Sequence, residues 1–315
     1  MGTSLLVGGV VFGVALSTPA QAQDAALAAK IKKMQSLTQA RGYLKAHMGV
    51  KAPLPLLGGP LRVSISQTAG GVFVALPDHR RLDPRVFGPP GLPRHYAGTP
   101  VITGVPGPLR VKGPDGSLQT QVMTPFGDKH IVMGGGKLHI DAVDATATDA
   151  ATTQDTVKMQ ASWKDKAGNT YSVKCCMKMA AHGVEFPTFG GVVTNVILHG
   201  FTGLGTPLMP SEFTQFAFWG MGQVEKNGKV LDKPRLIHGM LTEYVRKEGY
   251  KLAFDSEVTP TRTHFHLMVP PMKPDPAKGI FTKAPVHTGM QLPNGMTLPF
   301  WHVMFEALDV EAHRG

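Results

Sequence analysis

Residues 157–179 read Val-Lys-Met-Gln-Ala-Ser-Trp-Lys-Asp-Lys-Ala-Gly-Asn-Thr-Tyr-Ser-Val-Lys-Cys-Cys-Met-Lys-Met. Two segments of this stretch, Val157 to Trp163 and Tyr171 to Met179, alternate between apolar and polar residues, the period of a half-buried strand. The sequence Asp165 to Asn169 between them is rich in turn-forming residues. The stretch therefore predicts a β-hairpin.

The same pattern extends over most of the chain that follows. A second hairpin is predicted around Asn227-Gly228, between Thr214 to Val224 and Arg235 to Arg246. Further predicted strands are Tyr250 to Val258, Thr261 to Val269 and Thr297 to Val310. Short strands joined by turns, without helices between them, predict an all-β fold over residues 118–315: an antiparallel sandwich, jelly roll or barrel.

Three segments precede this β domain. Residues 1–22 contain no charge, an apolar run from Leu5 to Leu16 and a small-residue motif ending at Ala22, which is typical of a cleaved signal peptide. Residues 23–49 predict one N-terminal helix, because apolar residues recur at helical spacing from Asp24 to His47. Residues 50–117 form a long Pro/Gly-rich segment that predicts only short strands, at Leu61 to Ile65 and Gly71 to Leu76.

Charge and the leader together suggest where the protein works. The chain carries 32 basic and 22 acidic residues, a net charge of +10. We expect an exported protein, periplasmic or extracellular, without a transmembrane span once the leader is cleaved. Its basic surface predicts contact with an anionic envelope polymer. No basic cluster interleaved with aromatic residues points to nucleic acid.

The two cysteines, Cys175 and Cys176, are adjacent. A disulfide framework needs several spaced cysteines, so covalent cross-links do not stabilise this fold. Neighbouring residues of a strand point to opposite faces, which leaves three alternatives: a vicinal disulfide, a thiolate metal ligand or two unpaired thiols.

One motif resembles a known enzyme family. Val192 to Gly203 is similar to the strand and His-Gly oxyanion turn of α/β-hydrolases. That fold also needs a Gly-x-Ser-x-Gly nucleophile elbow, and neither Ser211 nor Ser256 lies in one. The strand-rich context differs as well, so we exclude this class.

Histidine and methionine share one face of three predicted strands. In Thr263 to Val269 the face comprises His264, His266 and Met268, and the opposite face is apolar. The other two strands divide in the same way: His302, Met304 and Glu306 on one, and His238, Met240, Thr242 and Tyr244 on the other. If the strands are neighbours in the sheet, these side chains converge. His199, at the end of a fourth apolar strand, can join them.

Two interpretations of this face are open: residues with a structural role in a half-buried sheet, or a metal site with His238, His264, His266, Met268 and His302 as candidate ligands. Imidazole with thioether is a soft set that favours copper, so the first hypothesis is an exported copper carrier or mononuclear oxidoreductase. The second is a zinc hydratase or hydrolase in which Glu306 acts as the catalytic base or orients a ligand. The third is a binding protein without a metal, which holds an anionic glycan, an envelope partner or a small molecule through its basic surface and loop aromatics such as Trp219 and Trp301.

Overall fold

A computed structural model describes residues 60–67, 69–82, 107–145, 154–179, 191–199, 206, 208–209, 212–252, 259–275, 280–290, 292, 295 and 297–314. The predicted signal peptide and the predicted N-terminal helix lie outside these residues. Within them, no helical segment has the length and apolarity that a membrane crossing requires.

The described residues form β-strands connected by turns and two short 3-10 segments, Gly107–Leu109 and Glu248–Tyr250. The strands are β1 (Leu61–Gln67), β2 (Val72–Ala75), β3 (Arg110–Lys112), β4 (Leu118–Thr120), β5 (His130–Asp144), β6 (Thr156–Lys164), β7 (Thr170–Met179), β8 (Gly191–Leu198), β9 (Glu212–Lys226), β10 (Lys229–Tyr244), β11 (Thr259–Val269), β12 (Met272–Asp275), β13 (Ile280–Lys283), β14 (Trp301–Phe305) and β15 (Leu308–Arg314). The predicted all-β class is confirmed.

Eight of these strands close into an antiparallel barrel-like sheet in the order β5, β2, β14, β11, β10, β9, β7, β6, with β6 returning to β5. β1 and β15 extend the sheet from β5, and β8 pairs with the first half of β9. β1 and β2 belong to the Pro/Gly-rich part of the sequence, so that segment contributes strands to the same sheet as the C-terminal residues. Of the three predicted architectures, the barrel-like one is observed.

Both predicted hairpins are present. β6 and β7 pair from Met159 opposite Cys175 to Lys164 opposite Thr170, and β9 and β10 flank the turn at Asn227 and Gly228. Cys175 and Cys176 form a disulfide with each other, the first of the three alternatives, and the peptide bond between them is cis.

Two predicted strands differ from the structure. The predicted strand Thr297 to Val310 is divided, because Ala307 has a φ of 55° and redirects the chain, so that β14 pairs with β11 while β15 pairs with β1. The predicted strand from Tyr250 does not form over its described part: Tyr250 ends a 3-10 segment with a φ of 57°. Residues 253–258 lie outside the described part.

The barrel interior is apolar and aromatic. Trp163 lies edge-on against Trp301 at a centroid distance of 5.1 Å and stacks with Tyr171 at 6.1 Å. Phe265, Leu267 and Val303 belong to the same buried cluster. The barrel interior is therefore lined by the apolar faces of the predicted strands, and the histidines and methionines of β10, β11 and β14 lie on the outer side of the barrel wall.

Candidate functional site

The three strands that carry histidine and methionine are neighbours, in the order β10, β11, β14. In two rows across these strands, histidine and methionine alternate from one strand to the next. Across the strands, His238 faces Met268, which faces His302; in the next row, Met240 faces His266, which faces Met304. His264 lies opposite Thr242. The structure thus brings together on one face all five sequence-predicted metal ligands.

This face is buried although it lies outside the barrel. The exposed fraction is at most 8 % for each of His238, His264, His266, Met268 and His302. A second apolar cluster packs over part of the face, in which Phe126, Leu198 and Met209 join Met240 and Met268. We call this region the His/Met layer: the outward side chains of β10, β11 and β14 together with the residues that cover them.

Three histidines of the layer form a hydrogen-bonded chain. His302 Nδ1 lies 2.7 Å from the Pro125 carbonyl oxygen, and its Nε2 lies 2.8 Å from His266 Nδ1. His266 Nε2 in turn lies 2.7 Å from His264 Nε2 and 3.2 Å from the Thr242 hydroxyl. Both nitrogens of His266 and of His302 are therefore engaged. We call His264, His266 and His302 the histidine chain.

His238 differs from the histidine chain because one of its nitrogens is open. Nδ1 donates to the Phe218 carbonyl oxygen at 2.9 Å, and the ring stacks on Trp219 at a centroid distance of 4.3 Å. Nε2 is buried and has no hydrogen-bond partner among the residues that the structure describes. An Nδ1–H tautomer carries a lone pair on Nε2, which is the form of imidazole that binds metals.

His199 also reaches the layer. Its Nε2 lies 3.1 Å from the sulfur of Met240, and its ring centroid lies 5.9 Å from that of His238. Two imidazoles, from His199 and His238, and two thioethers, from Met240 and Met268, are thereby grouped at one end of the layer. We call these four residues the soft cluster.

Burial keeps these imidazoles neutral. Desolvation lowers the pKa of His199 and of His302 to about 3, and that of His238 to about 4. The pKa values of His264 and His266 also lie well below the usual range, because burial is reinforced by nearby positive groups, Arg246 among them. Protons therefore do not compete with a metal ion for the open Nε2 of His238 at neutral pH.

Glu212 lies next to the layer and was not among the sequence-predicted residues. Its Oε2 is 3.8 Å from His266 Nε2, and burial raises the pKa of its carboxyl group to about 8 in spite of the nearby guanidinium groups of Arg246 and Arg80. The backbone brings Glu212 to this face through a bulge: Leu241 pairs with Phe216, but Thr242 pairs with Thr214. Strand alternation in the sequence does not reveal such an inserted residue.

Glu306, the sequence-predicted catalytic residue, lies at the edge of the layer, where both of its carboxylate oxygens interact with neighbouring side chains. Its Oε1 accepts a hydrogen bond from the Tyr244 hydroxyl at 2.6 Å, and its Oε2 forms an ion pair with Arg262 at 3.2 Å. The Arg262 guanidinium lies 3.8 Å above the Tyr244 ring, and the Tyr244 ring lies 5.0 Å from that of His264. Glu306 is thus separated from the histidine chain by Tyr244.

The aromatic residues expected in binding loops are elsewhere. Trp219 is 2 % exposed in β9, and Trp301 is 1 % exposed in β14. The prediction that Trp219 and Trp301 are loop aromatics is wrong, because both lie in strands and are buried.

Within the described ranges, no three or more His, Cys, Asp and Glu side chains form a group that could hold a metal ion. In the histidine chain, the facing nitrogens of neighbouring rings lie 2.7–2.8 Å apart and are hydrogen-bonded to each other. These nitrogens are therefore too close together to hold a metal ion between them. The thioether sulfurs of Met240 and Met268 in the soft cluster are metal ligands of another type, and they are not among the four residue types of such a group. Comparisons of the chain with family models, curated proteins and solved structures give no match.

Proposed function

We propose that the soft cluster binds a monovalent soft metal ion, Cu(I), and that the protein is an exported copper carrier. The observation that carries the proposal is the open Nε2 of His238, a buried and neutral imidazole nitrogen on a face shared with thioether sulfurs. Imidazole with thioether is a donor set that favours Cu(I) over harder divalent ions.

Position in the sheet supports the participation of Met268. It lies directly opposite His238 in the antiparallel pair of β10 and β11, where the Cβ atoms of facing residues are about 5 Å apart. Met240 follows His238 by two residues on the same strand and therefore has the same orientation. Two thioether side chains thus start from positions next to His238 on the same face of the sheet.

Burial favours a carrier over an oxidoreductase. Met240 is fully buried, and His199, His238 and Met268 are at most 8 % exposed. A buried soft site protects Cu(I) from water and oxidants, whereas a catalytic copper needs a position that substrate can reach. The disulfide between Cys175 and Cys176 is typical of an oxidising compartment and supports the proposal of export.

Competition with a chromogenic Cu(I) chelator in the presence of ascorbate tests the proposal. We expect one Cu(I) per chain and a loss of affinity of at least about tenfold in each of two variants. His238→Asn keeps an N–H donor for the Phe218 carbonyl but removes Nε2, and Met268→Leu removes the sulfur at nearly constant volume.

The matched control is Met159→Leu, which makes the same substitution in the barrel interior, where Met159 is 2 % exposed. It should bind Cu(I) as the unmodified protein does. Absence of stoichiometric Cu(I), or equal losses in Met159→Leu and Met268→Leu, contradicts the proposal. One equivalent of zinc in protein purified without added metal would favour the zinc hypothesis instead.

A further inference from the structure

Every member of the soft cluster is buried, so a metal ion must cross other side chains to reach it. His199, His238, Met240 and Met268 are each at most 8 % exposed. Met240 and Met268 belong to an apolar cluster that also contains Trp219. Because an apolar cover does not solvate a cation, passage through it requires a side chain that can bind the ion on the way.

Met272 lies at the edge of this apolar cluster. Among the described residues that pack against the cluster, Leu208 and Met272 are only partly buried. Of these two, only Met272 carries a metal-binding atom, its thioether sulfur. Met272 therefore provides a soft ligand at the boundary between solvent and the buried cluster.

The backbone bends sharply between the strand that carries Met268 and the strand that begins at Met272. The intervening residues are Val269, Pro270 and Pro271. The Met272 N–H donates to the Pro270 carbonyl oxygen at 2.7 Å, and a hydrogen bond between residues two apart closes a γ-turn. β12 thus starts close to the end of β11 and lies against β10.

A buried arginine holds the β12–β13 hairpin against β10. The Arg235 side chain is fully buried, and its Nη2 donates to the carbonyl oxygens of Pro270 at 2.9 Å and of Ala284 at 2.7 Å. One of these carbonyls lies just before β12 and the other just after β13. Arg235 precedes His238 by three residues. One guanidinium group therefore fixes both ends of the hairpin at the strand that carries the open nitrogen.

We infer that Met272 is the entry ligand of the soft cluster: its sulfur takes Cu(I) from a Cu(I) complex at the protein surface and passes it to Met268 and His238. The inference rests on the proposed function. Each transfer exchanges one ligand of the metal for another, so copper stays Cu(I) throughout and no electron is transferred. Met272 is not a ligand of the bound state in this view.

Stopped-flow measurement of Cu(I) uptake from the chromogenic chelator in ascorbate tests the entry role. A ligand on the path that is absent from the final site lowers the barrier in both directions. We expect Met272→Leu, which keeps nearly the same volume, to slow uptake and release by about tenfold each and to change the affinity by less than about threefold. Met268→Leu should instead lower the affinity.

Two further variants separate a ligand from a packing role. Met272→His restores a metal-binding atom with a different shape, so uptake should recover from the rate of Met272→Leu toward that of the unmodified protein. Met177→Leu is the matched control: Met177 is 60 % exposed on β7 and lies outside the apolar cluster, and its loss should leave the rates unchanged.

One Cu(I) per chain together with an unchanged uptake rate in Met272→Leu would overturn the inference and leave the proposed function intact. Equal rates in Met272→Leu and Met272→His would also overturn it, since shape and not the ligand atom would then determine uptake. A loss of affinity in Met272→Leu as large as in Met268→Leu would make Met272 a ligand of the bound state instead. Absence of Cu(I) binding to the unmodified protein would overturn both proposals.

Discussion

Gly239 lies between His238 and Met240 on β10, where the inner side of the strand touches the aromatic core. A Cβ at this position would come within 2.3 Å of Phe218 Cε1 and 2.5 Å of Phe265 Cζ. We expect Gly239→Ala to lower the free energy of unfolding by about 1–3 kcal/mol, because the added methyl group overpacks the barrel interior. Urea unfolding monitored by tryptophan fluorescence measures the change.

Gly134→Ala on β5 is the control for Gly239→Ala. The nearest atom to its added Cβ is 4.0 Å away, so the substitution meets no neighbour. We expect a change of less than about 0.5 kcal/mol. Equal effects of the two substitutions would show that the contacts of Gly239 do not limit β10.

The four histidines on β10, β11 and β14 differ in how many of their ring nitrogens are hydrogen-bonded. Among the described residues, His238 and His264 each leave one nitrogen without a hydrogen-bond partner, whereas both nitrogens of His266 and His302 are engaged. All four have the same type and the same alternation in the sequence. The positions of carbonyl acceptors such as those of Phe218 and Pro125 decide which ring nitrogens are engaged.

At the scale of single elements, the turn between β6 and β7 depends on Asp165. Its carboxylate accepts hydrogen bonds from the Asn169 backbone N–H and side chain, each at 2.9 Å, and from the Tyr171 hydroxyl at 2.8 Å. We expect Asp165→Ala to destabilise the protein by about 1–3 kcal/mol, because three partly buried donors lose a charged acceptor. Thermal or urea unfolding measures the loss.

Two further variants define the origin of that loss. Tyr171→Phe removes only one of the three hydrogen bonds and should cost less than Asp165→Ala. Lys166→Ala, at an exposed position of the same turn, should be nearly neutral. A loss in Lys166→Ala as large as in Asp165→Ala would indicate a general sensitivity of the turn and not the hydrogen bonds of Asp165.

The element that sequence alone describes least well is β9. Alternation predicts the inward residues Phe216 and Phe218, but the bulge at Gln215 reverses the phase and turns Thr214 and Glu212 outward to the His/Met layer. A bulge is an inserted residue whose position is determined by the partner strand. The role of Glu212 therefore depends on pairing with β10.

At the scale of the whole molecule, the buried histidines make stability dependent on pH. His199, His238, His264, His266 and His302 have pKa values below the ordinary histidine range in the folded state. They take up protons on unfolding, so stability is lost as the pH falls below about 6.5. Each histidine contributes a slope of up to about 1.4 kcal/mol per pH unit.

Glu212 acts in the opposite direction. Its folded pKa of about 8 lies above the ordinary carboxyl value, so its contribution is present at low pH and lost as the pH rises toward 8. Urea unfolding at pH 5, 7 and 8 checks both signs. His238→Asn should reduce the acid loss by about one proton, and Glu212→Gln should flatten the alkaline side. Equal stability at pH 5 and pH 7 would contradict the neutral, buried state of the histidines.

Sequence patterns were sufficient to predict the all-β class, both hairpins and the residues of the His/Met face. These are local properties: strand alternation places residues two apart on one side, and turn residues follow their own backbone preferences. For that reason His238, His264, His266, Met268 and His302 could be grouped before any pairing was known.

Three features emerged from tertiary contacts and not from sequence patterns: closure of the barrel, the cover over this outer face, and the hydrogen bond and ion pair of Glu306 with Tyr244 and Arg262. The group that His302 Nδ1 contacts, the carbonyl oxygen of Pro125, is 177 positions away from it in the chain. The physical reason is that strand order, covering segments and hydrogen-bond partners depend on contacts between residues far apart in the chain. Alternation within a strand carries no information about them.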